Sequence, residues 1–228
     1  MTGALHGLGA GPGDPELITL KAHRLLRAAD AVAYPAPPSG DSLARQLIAP
    51  HLPGTQPEVP LTIPFGADAE SAYDDAARVL GTWLNTGAAV ALACEGDPFL
   101  YGTFIHLHAR LAHRYPVHVV PGVSAVTACA ATSATALVAR GETLTVLPAT
   151  LPAATLRARL HASDAAVLLK LGRHFAKARD ILGDLGLLAR AVYIERATMA
   201  GQAVQPLAQV DPGRVPYFAA IVVPGEAA

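Results

Sequence analysis

Residues 88 to 93 run Ala-Ala-Val-Ala-Leu-Ala without a polar interruption. A strand with one face in water alternates apolar and polar residues, whereas one buried on both faces has no reason to. This run therefore predicts part of a parallel sheet covered by helices on either side. Three shorter stretches also read as strands: Ala4 to Gly9, Ala31 to Tyr34 and Val117 to Val120. Helical patterns separate them. Asp14-Pro15-Glu16 supplies a capping carboxylate, a proline for the first helical position and an acid for the first turn, and Leu17, Leu20 and Leu25 continue at helical spacing to about Ala29. A second helical run begins at Asp68 and passes through Tyr73, Val79 and Leu84, a third spans Leu100 to Tyr115, and a fourth starts at Ser124. Strand followed by helix, repeated, predicts an α/β domain with a mostly parallel sheet.

From about Arg140 the pattern restarts. Thr143 to Leu147, Ala166 to Leu171, Ala191 to Ile194 and Tyr217 to Val223 read as strands, with helices near Pro152 to His161 and His174 to Leu185. The seam at residues 136 to 141 is the best boundary, giving an expected division into 1–138 and 139–228. At roughly 150 residues per domain, 228 residues leave one large domain or two small ones open. Pro35 to Gly40 reads as a loop or lid and Asp211-Pro212-Gly213 as a turn.

Composition narrows the function. With 52% hydrophobic and 15% charged residues the chain is no disordered segment, and 17 basic against 18 acidic side chains give a net charge of −1, which offers no footprint for nucleic acid. Gly122 to Ala139 carries no charge, but its serines, threonines and alanines read as a buried helix and loop, so no membrane span is expected. Cys94 and Cys129 sit in apolar stretches and read as small buried hydrophobes. The first residues lack a basic stretch, apolar core and small-residue cleavage site, which makes a cytoplasmic location the expectation.

Three strand-to-helix loops can carry chemistry. Gly7-Leu8-Gly9-Ala10-Gly11-Pro12-Gly13-Asp14 lies where nucleotides bind, yet its spacing fails the dinucleotide fingerprint and no lysine follows for a phosphate loop. An acid here would repel a pyrophosphate, and a structural turn with a helix cap is the rival reading. Glu95-Gly96-Asp97-Pro98 follows the buried run, at the strand end where open α/β sheets bind ligands. Two carboxylates there suit ribose hydroxyls, an ammonium or a sulfonium; an acid and base pair is the chemical rival, and an Asx turn the structural one. Val119-Val120-Pro121-Gly122-Val123-Ser124 is the third, with Ser124 able to cap its helix. The histidines are scattered and no H-E-x-x-H or G-x-S-x-G occurs, so neither a zinc site nor a serine hydrolase is expected.

Taken in order, GAGPGDPELITLKA (9–22), EGDPFLYGTF (95–104), VVPGVSAVTACAA (119–131), LTVLPATLP (144–152), LKLGRH (169–174), IERATMAGQ (194–202) and PYFAAIVVPG (216–225) resemble the tetrapyrrole methylase family over nearly the whole chain. AYPAPPSGDSLARQLIAPHL (33–52) and EGDPFLYGTF resemble the branch that methylates C20 of precorrin-2 or its cobalt counterpart in cobalamin biosynthesis. The resemblance implies two α/β domains of the class III S-adenosylmethionine-dependent methyltransferase type with a cofactor cleft between them, usually a homodimer. It places S-adenosyl-L-methionine contacts on Pro12, Gly96, Asp97, Leu100, Ser124 and Ala125, and in the second domain on Leu171 and Ala197. The tetrapyrrole would lie around Asp14 and the Tyr34 to Asp41 loop, with Arg45, Arg140 and Arg173 as candidates for its carboxylates. Glu95 or a histidine is a candidate proton acceptor, and no catalytic residue is otherwise identified.

Two departures stand out: residues 132–137, Thr-Ser-Ala-Thr-Ala-Leu, replace a usual Gly-x-Pro-Leu, and Ala219 stands where the family has a Tyr-Phe-Ser pattern. The rival readings are a methylase of another ring position, an RNA methylase, a tetrapyrrole carrier without turnover and a nicotinamide oxidoreductase. The RNA branch conflicts with the charge, the carrier with the intact GPGD and EGDP loops, and the oxidoreductase with the glycine spacing.

Overall fold

The computed structural model describes residues 2–64 and 69–227; the expected helix start at Asp68 lies outside the described residues. The chain divides into two compact units, Met1–Ser124 and Ala125–Ala228, each with its own five-stranded sheet. The line falls ahead of the seam at residues 136 to 141.

In the first unit, β1 (Ala4–Gly9), β2 (Ala31–Ala36), β3 (Glu58–Thr62), β4 (Ala89–Cys94) and β5 (Val117–Val120) pair in the order β3-β2-β4-β1-β5, every pair parallel. Between them run α1 (Leu20–Ala28), α2 (Leu43–Ile48), α3 (Glu70–Asn85) and α4 (Phe104–Leu111). The unbroken apolar run is explained by β4: Val90, Leu92 and Cys94 pack with Leu80 of α3 and Phe104 of α4, while Ala91 and Ala93 pack with Leu26 of α1 and Leu47 of α2. With both faces covered, neither parity leaves room for a polar residue.

The first helix starts later than its sequence pattern. Asp14 accepts the Glu16 N–H at 2.9 Å, but the turn it caps is a 3-10 turn of three residues, Pro15–Leu17. Thr19 caps α1 itself, and the residues α1 buries are Ala22 and Leu26, with Leu20 88% exposed. α4 begins at Phe104 instead of Leu100, because Tyr101 takes φ 55° in the left-handed region, which a helix cannot contain.

The second unit holds α5 (Ala125–Thr132), β6 (Leu144–Pro148), α6 (Ala153–His161), β7 (Ala165–Leu169), α7 (Phe175–Asp184), β8 (Val192–Glu195), β9 (Ala203–Pro206) and β10 (Ala219–Val223). Its sheet, β6-β7-β10-β8-β9, has one parallel pair, β6 with β7, and three antiparallel pairs, so the parallel pattern of the first unit does not simply repeat. Leu156, Leu160, Phe175 and Leu182 of α6 and α7 cover one face; Val126 and Cys129 of α5 meet Val167, Ala220 and Val222 on the other. Among the described residues no helix is long and apolar enough to cross a membrane, and the uncharged stretch after Gly122 contributes only the eight-residue α5.

Candidate functional site

β4, β1 and β5 are neighbours and parallel, so their carboxyl ends, and the loops that follow, emerge side by side at the edge where open parallel sheets bind ligands. The three loops touch through glycine backbone. A Cβ on Gly122 would overlap the Gly96 carbonyl oxygen and stand 2.7 Å from Gly9 Cα; one on Gly9 would overlap Gly122 Cα and stand 2.7 Å from the Gly96 oxygen. Any side chain would push backbone against backbone. Beyond the strand ends the Ala10 N–H donates to the Cys94 carbonyl and the Gly96 N–H to the Gly11 carbonyl, both at 2.8 Å. Gly11 at φ 84° and Gly96 at φ 63° make that link in a conformation that glycine reaches without penalty.

Asp97 fastens this junction. Its Oδ2 accepts the Gly122 N–H at 3.0 Å and its Oδ1 accepts the Phe99 N–H at 2.9 Å. One carboxylate thus closes its own loop and ties it to the loop after β5. Pro12, Gly96 and Asp97 are all half-buried, Pro98 is buried, and Leu100 is 38% exposed beside Tyr101. Ser124 ends the β5 loop, and Ala125 opens α5.

Glu95 lies at the foot of the same loop. Burial pushes its carboxyl above the usual carboxylate range, opposed by a hydrogen bond from the Ala44 N–H of α2. That helix is anchored twice. Ser42 Oγ donates to the Pro35 carbonyl at 2.6 Å and accepts the Arg45 N–H at 3.1 Å, while Arg45 grips Glu58 of β3 with Nε at 3.0 Å and Nη2 at 2.9 Å. Tyr34 donates its hydroxyl to the same Glu58 at 2.9 Å. Arg45 accordingly holds Glu58 well below the usual carboxylate range. Tyr34 and Arg45, expected beside a substrate, are thus engaged in an internal network whose acidic partner, Glu58, the sequence reading missed. Asp14, the other expected substrate contact, caps its turn.

In the second unit Leu171 is fully buried in the core, so any ligand there would meet its backbone. It sits between Lys170 at φ 55° and Gly172 at φ 37°, and Ala197 between Arg196 at φ 49° and Thr198 at φ 66°. Non-glycine residues enter this region at a cost, and such outliers gather where a site dictates the backbone. Of the five described here, Tyr101, Lys170, Arg196 and Thr198 adjoin expected cofactor positions, and Ala134 lies in the 132–137 segment that departs from the family pattern. Arg140 and Arg173 are exposed, with Arg173 Nε 3.4 Å from His174 Nε2. Among the described residues no three His, Cys, Asp or Glu side chains gather as a metal site.

A parallel sheet whose central strand-end loops meet through glycine, followed in the chain by a second unit built on a mixed sheet, defines a class of two-sheet α/β proteins. Residues 4–211 match the model of the Tetrapyrrole (Corrin/Porphyrin) Methylases, and the chain belongs to that family. It is 46% identical over 234 residues to the cobalamin biosynthesis protein CobIJ of Mycobacterium tuberculosis, covering 98% of this chain but 46% of that protein, so it spans about half of that relative's length. It is 38% identical to the precorrin-2 C(20)-methyltransferase of a Sinorhizobium species, covering 98% and 96% of the two chains. With the cobalt-precorrin-2 C(20)-methyltransferase of Salmonella typhimurium the identity is 34%, covering 98% and 97%. Among solved structures, the uroporphyrin-III C-methyl transferase of Thermus thermophilus complexed with S-adenyl homocysteine superposes with a TM-score of 0.71 at 27% identity, covering 98% of both chains.

Proposed function

We propose that this chain is an S-adenosylmethionine-dependent C-methyltransferase acting on C20 of precorrin-2 or of its cobalt-bearing counterpart, in the cytoplasm and as a homodimer. The observation that carries the reading is the glycine junction fastened by Asp97: three strand-end loops whose backbones meet, with the Glu95 and Asp97 carboxylates in the middle loop, a setting that suits a ribose-bearing cation better than a pyrophosphate. It is joined by the full-length likeness to two proteins named as C20-methyltransferases.

S-adenosylmethionine supplies a methyl group already activated on a sulfonium. A new bond from C20 to that methyl replaces its bond to sulfur, which leaves as a neutral thioether, and C20 then gives up its proton. The chain has no covalent step to perform. Its loops hold the two reactants in line and exclude water, which supplies several kcal/mol of the barrier reduction. Asp97 acts by keeping the β4 and β5 loops in register. Glu95 is the proton acceptor of this reading, since desolvation of its half-buried carboxyl raises its proton affinity.

The test is to incubate the chain with S-adenosylmethionine and either precorrin-2 or cobalt-factor II and to locate the added methyl by NMR. Methylation at C20 of one of them is expected; a methyl elsewhere, or none with either, overturns the reading. Asp97→Ala should weaken S-adenosylmethionine binding more than tenfold by calorimetry, and unchanged affinity removes the residue from the site.

A further inference from the structure

We propose that His6 and His118 form a two-histidine site for a late first-row divalent transition ion, on the α1/α2 face of the first sheet and apart from the glycine junction. The two residues are direct neighbours in register on the parallel strands β1 and β5. Alternation puts them on one face: His6 shares the parity of Leu8 and His118 that of Val120, both of which pack with Leu26 and Leu47. At this edge of the sheet His6 is half-buried and His118 exposed, so the pair is anchored on one side and open to solvent on the other.

The ring centres are 5.2 Å apart with planes 19° from parallel. A tetrahedral ion bonded to two imidazole nitrogens at about 2.0–2.1 Å lies about 3.2 Å from each ring centre, which sets the centres about 5 Å apart. The separation matches a tetrahedral ion, and a tetragonal one, with cis nitrogens near 90°, sets the centres about 4.5 Å apart, so chelation requires the rings to turn and at most a small closing of the pair. Histidine χ2 is a broad torsion, so the turn is inexpensive. His6 Nδ1 is shut away from solvent and has no hydrogen-bond partner among the described residues, an arrangement that costs free energy until something satisfies the atom. Burial and the adjacent imidazole also hold His6 below the usual histidine range, leaving its ring neutral at neutral pH, the form that ligates metals. Imidazole pairs favour copper over nickel and zinc among the divalent ions, with water completing the coordination.

A second pair shows what the first has in addition. His23 and His51 also lie 5.2 Å apart, but His51 Nε2 is engaged with the Pro15 carbonyl at 3.0 Å. The untagged full chain titrated with Cu²⁺ alone should take up one ion per chain ahead of weaker surface uptake, with electron paramagnetic resonance showing coupling to two imidazole nitrogens. His118→Ala, at an exposed position, should lower that affinity at least tenfold and leave one nitrogen, and His6→Gln should do the same in a chain whose circular dichroism is unchanged. His51→Ala should leave the isotherm unaltered. Equal Cu²⁺ affinity in the wild type and His118→Ala, or loss of the tight site in His51→Ala, overturns the proposal.

Discussion

Gly122 has no alternative at its position, and the reason is proximity and not its dihedral angles, since its φ lies outside the left-handed region. Gly122→Ala should cost about 1–3 kcal/mol by urea unfolding, as overpacked sites do, and reduce S-adenosylmethionine affinity at least tenfold; wild-type values of both would show that the loops do not meet as described. Glu95 makes a different demand. Because burial raises its proton affinity, the folded chain keeps this proton to higher pH than the unfolded chain does. Its ionisation therefore lowers stability as pH rises above the ordinary carboxylate range near 4.3. Glu95→Gln should melt higher than wild type at pH 8, with the gain fading towards pH 4; a gain independent of pH would place the effect elsewhere. If Glu95 also accepts the C20 proton, the same variant slows turnover, so one substitution should separate stability from activity in opposite directions.

Among the elements, those legible in the sequence were the ones whose pattern matched their burial. β4 reads as a strand because both its faces are covered, and α7 because Phe175, Ala178, Ile181 and Leu182 repeat at helical spacing on its buried face. β3 escaped because Pro60 interrupts it, which only an edge position tolerates. β9 is a four-residue edge strand with exposed residues, and α2 has six residues, too few to show a period. At the site, the three loops could be located as strand ends rich in glycine, but not their mutual contact, which depends on strand order. The strained Lys170, Arg196 and Thr198 carry no sequence mark, since nothing about lysine, arginine or threonine announces a left-handed backbone. α2 supplies a prediction of its own. Ser42 is 5% exposed and serves both the Pro35 carbonyl and the Arg45 N–H, so Ser42→Ala should cost about 1–2 kcal/mol by chemical denaturation. Arg45→Met, at a partly exposed ion pair, should cost less, under about 1 kcal/mol.

For the molecule as a whole, a net charge of −1 means that the polycarboxylate of the proposed reaction would have no broad field to draw it in and would have to be recognised by a few local donors. The proposed homodimer should sediment near 47 kDa, twice the 23.5 kDa of one chain; a single 23.5 kDa species at micromolar concentration would exclude it. The strand order has a further consequence during synthesis. β1 is made first, yet it lies between β4 and β5, so Ala4 must wait for Ala89 and Leu5 for Val117 before its backbone is paired. At about 5–20 residues per second that is a delay of roughly 4–20 seconds. Throughout it Leu5 and Leu8, both later enclosed, stand uncovered on the nascent chain, which leaves β1 in need of protection until the ribosome has delivered its neighbours.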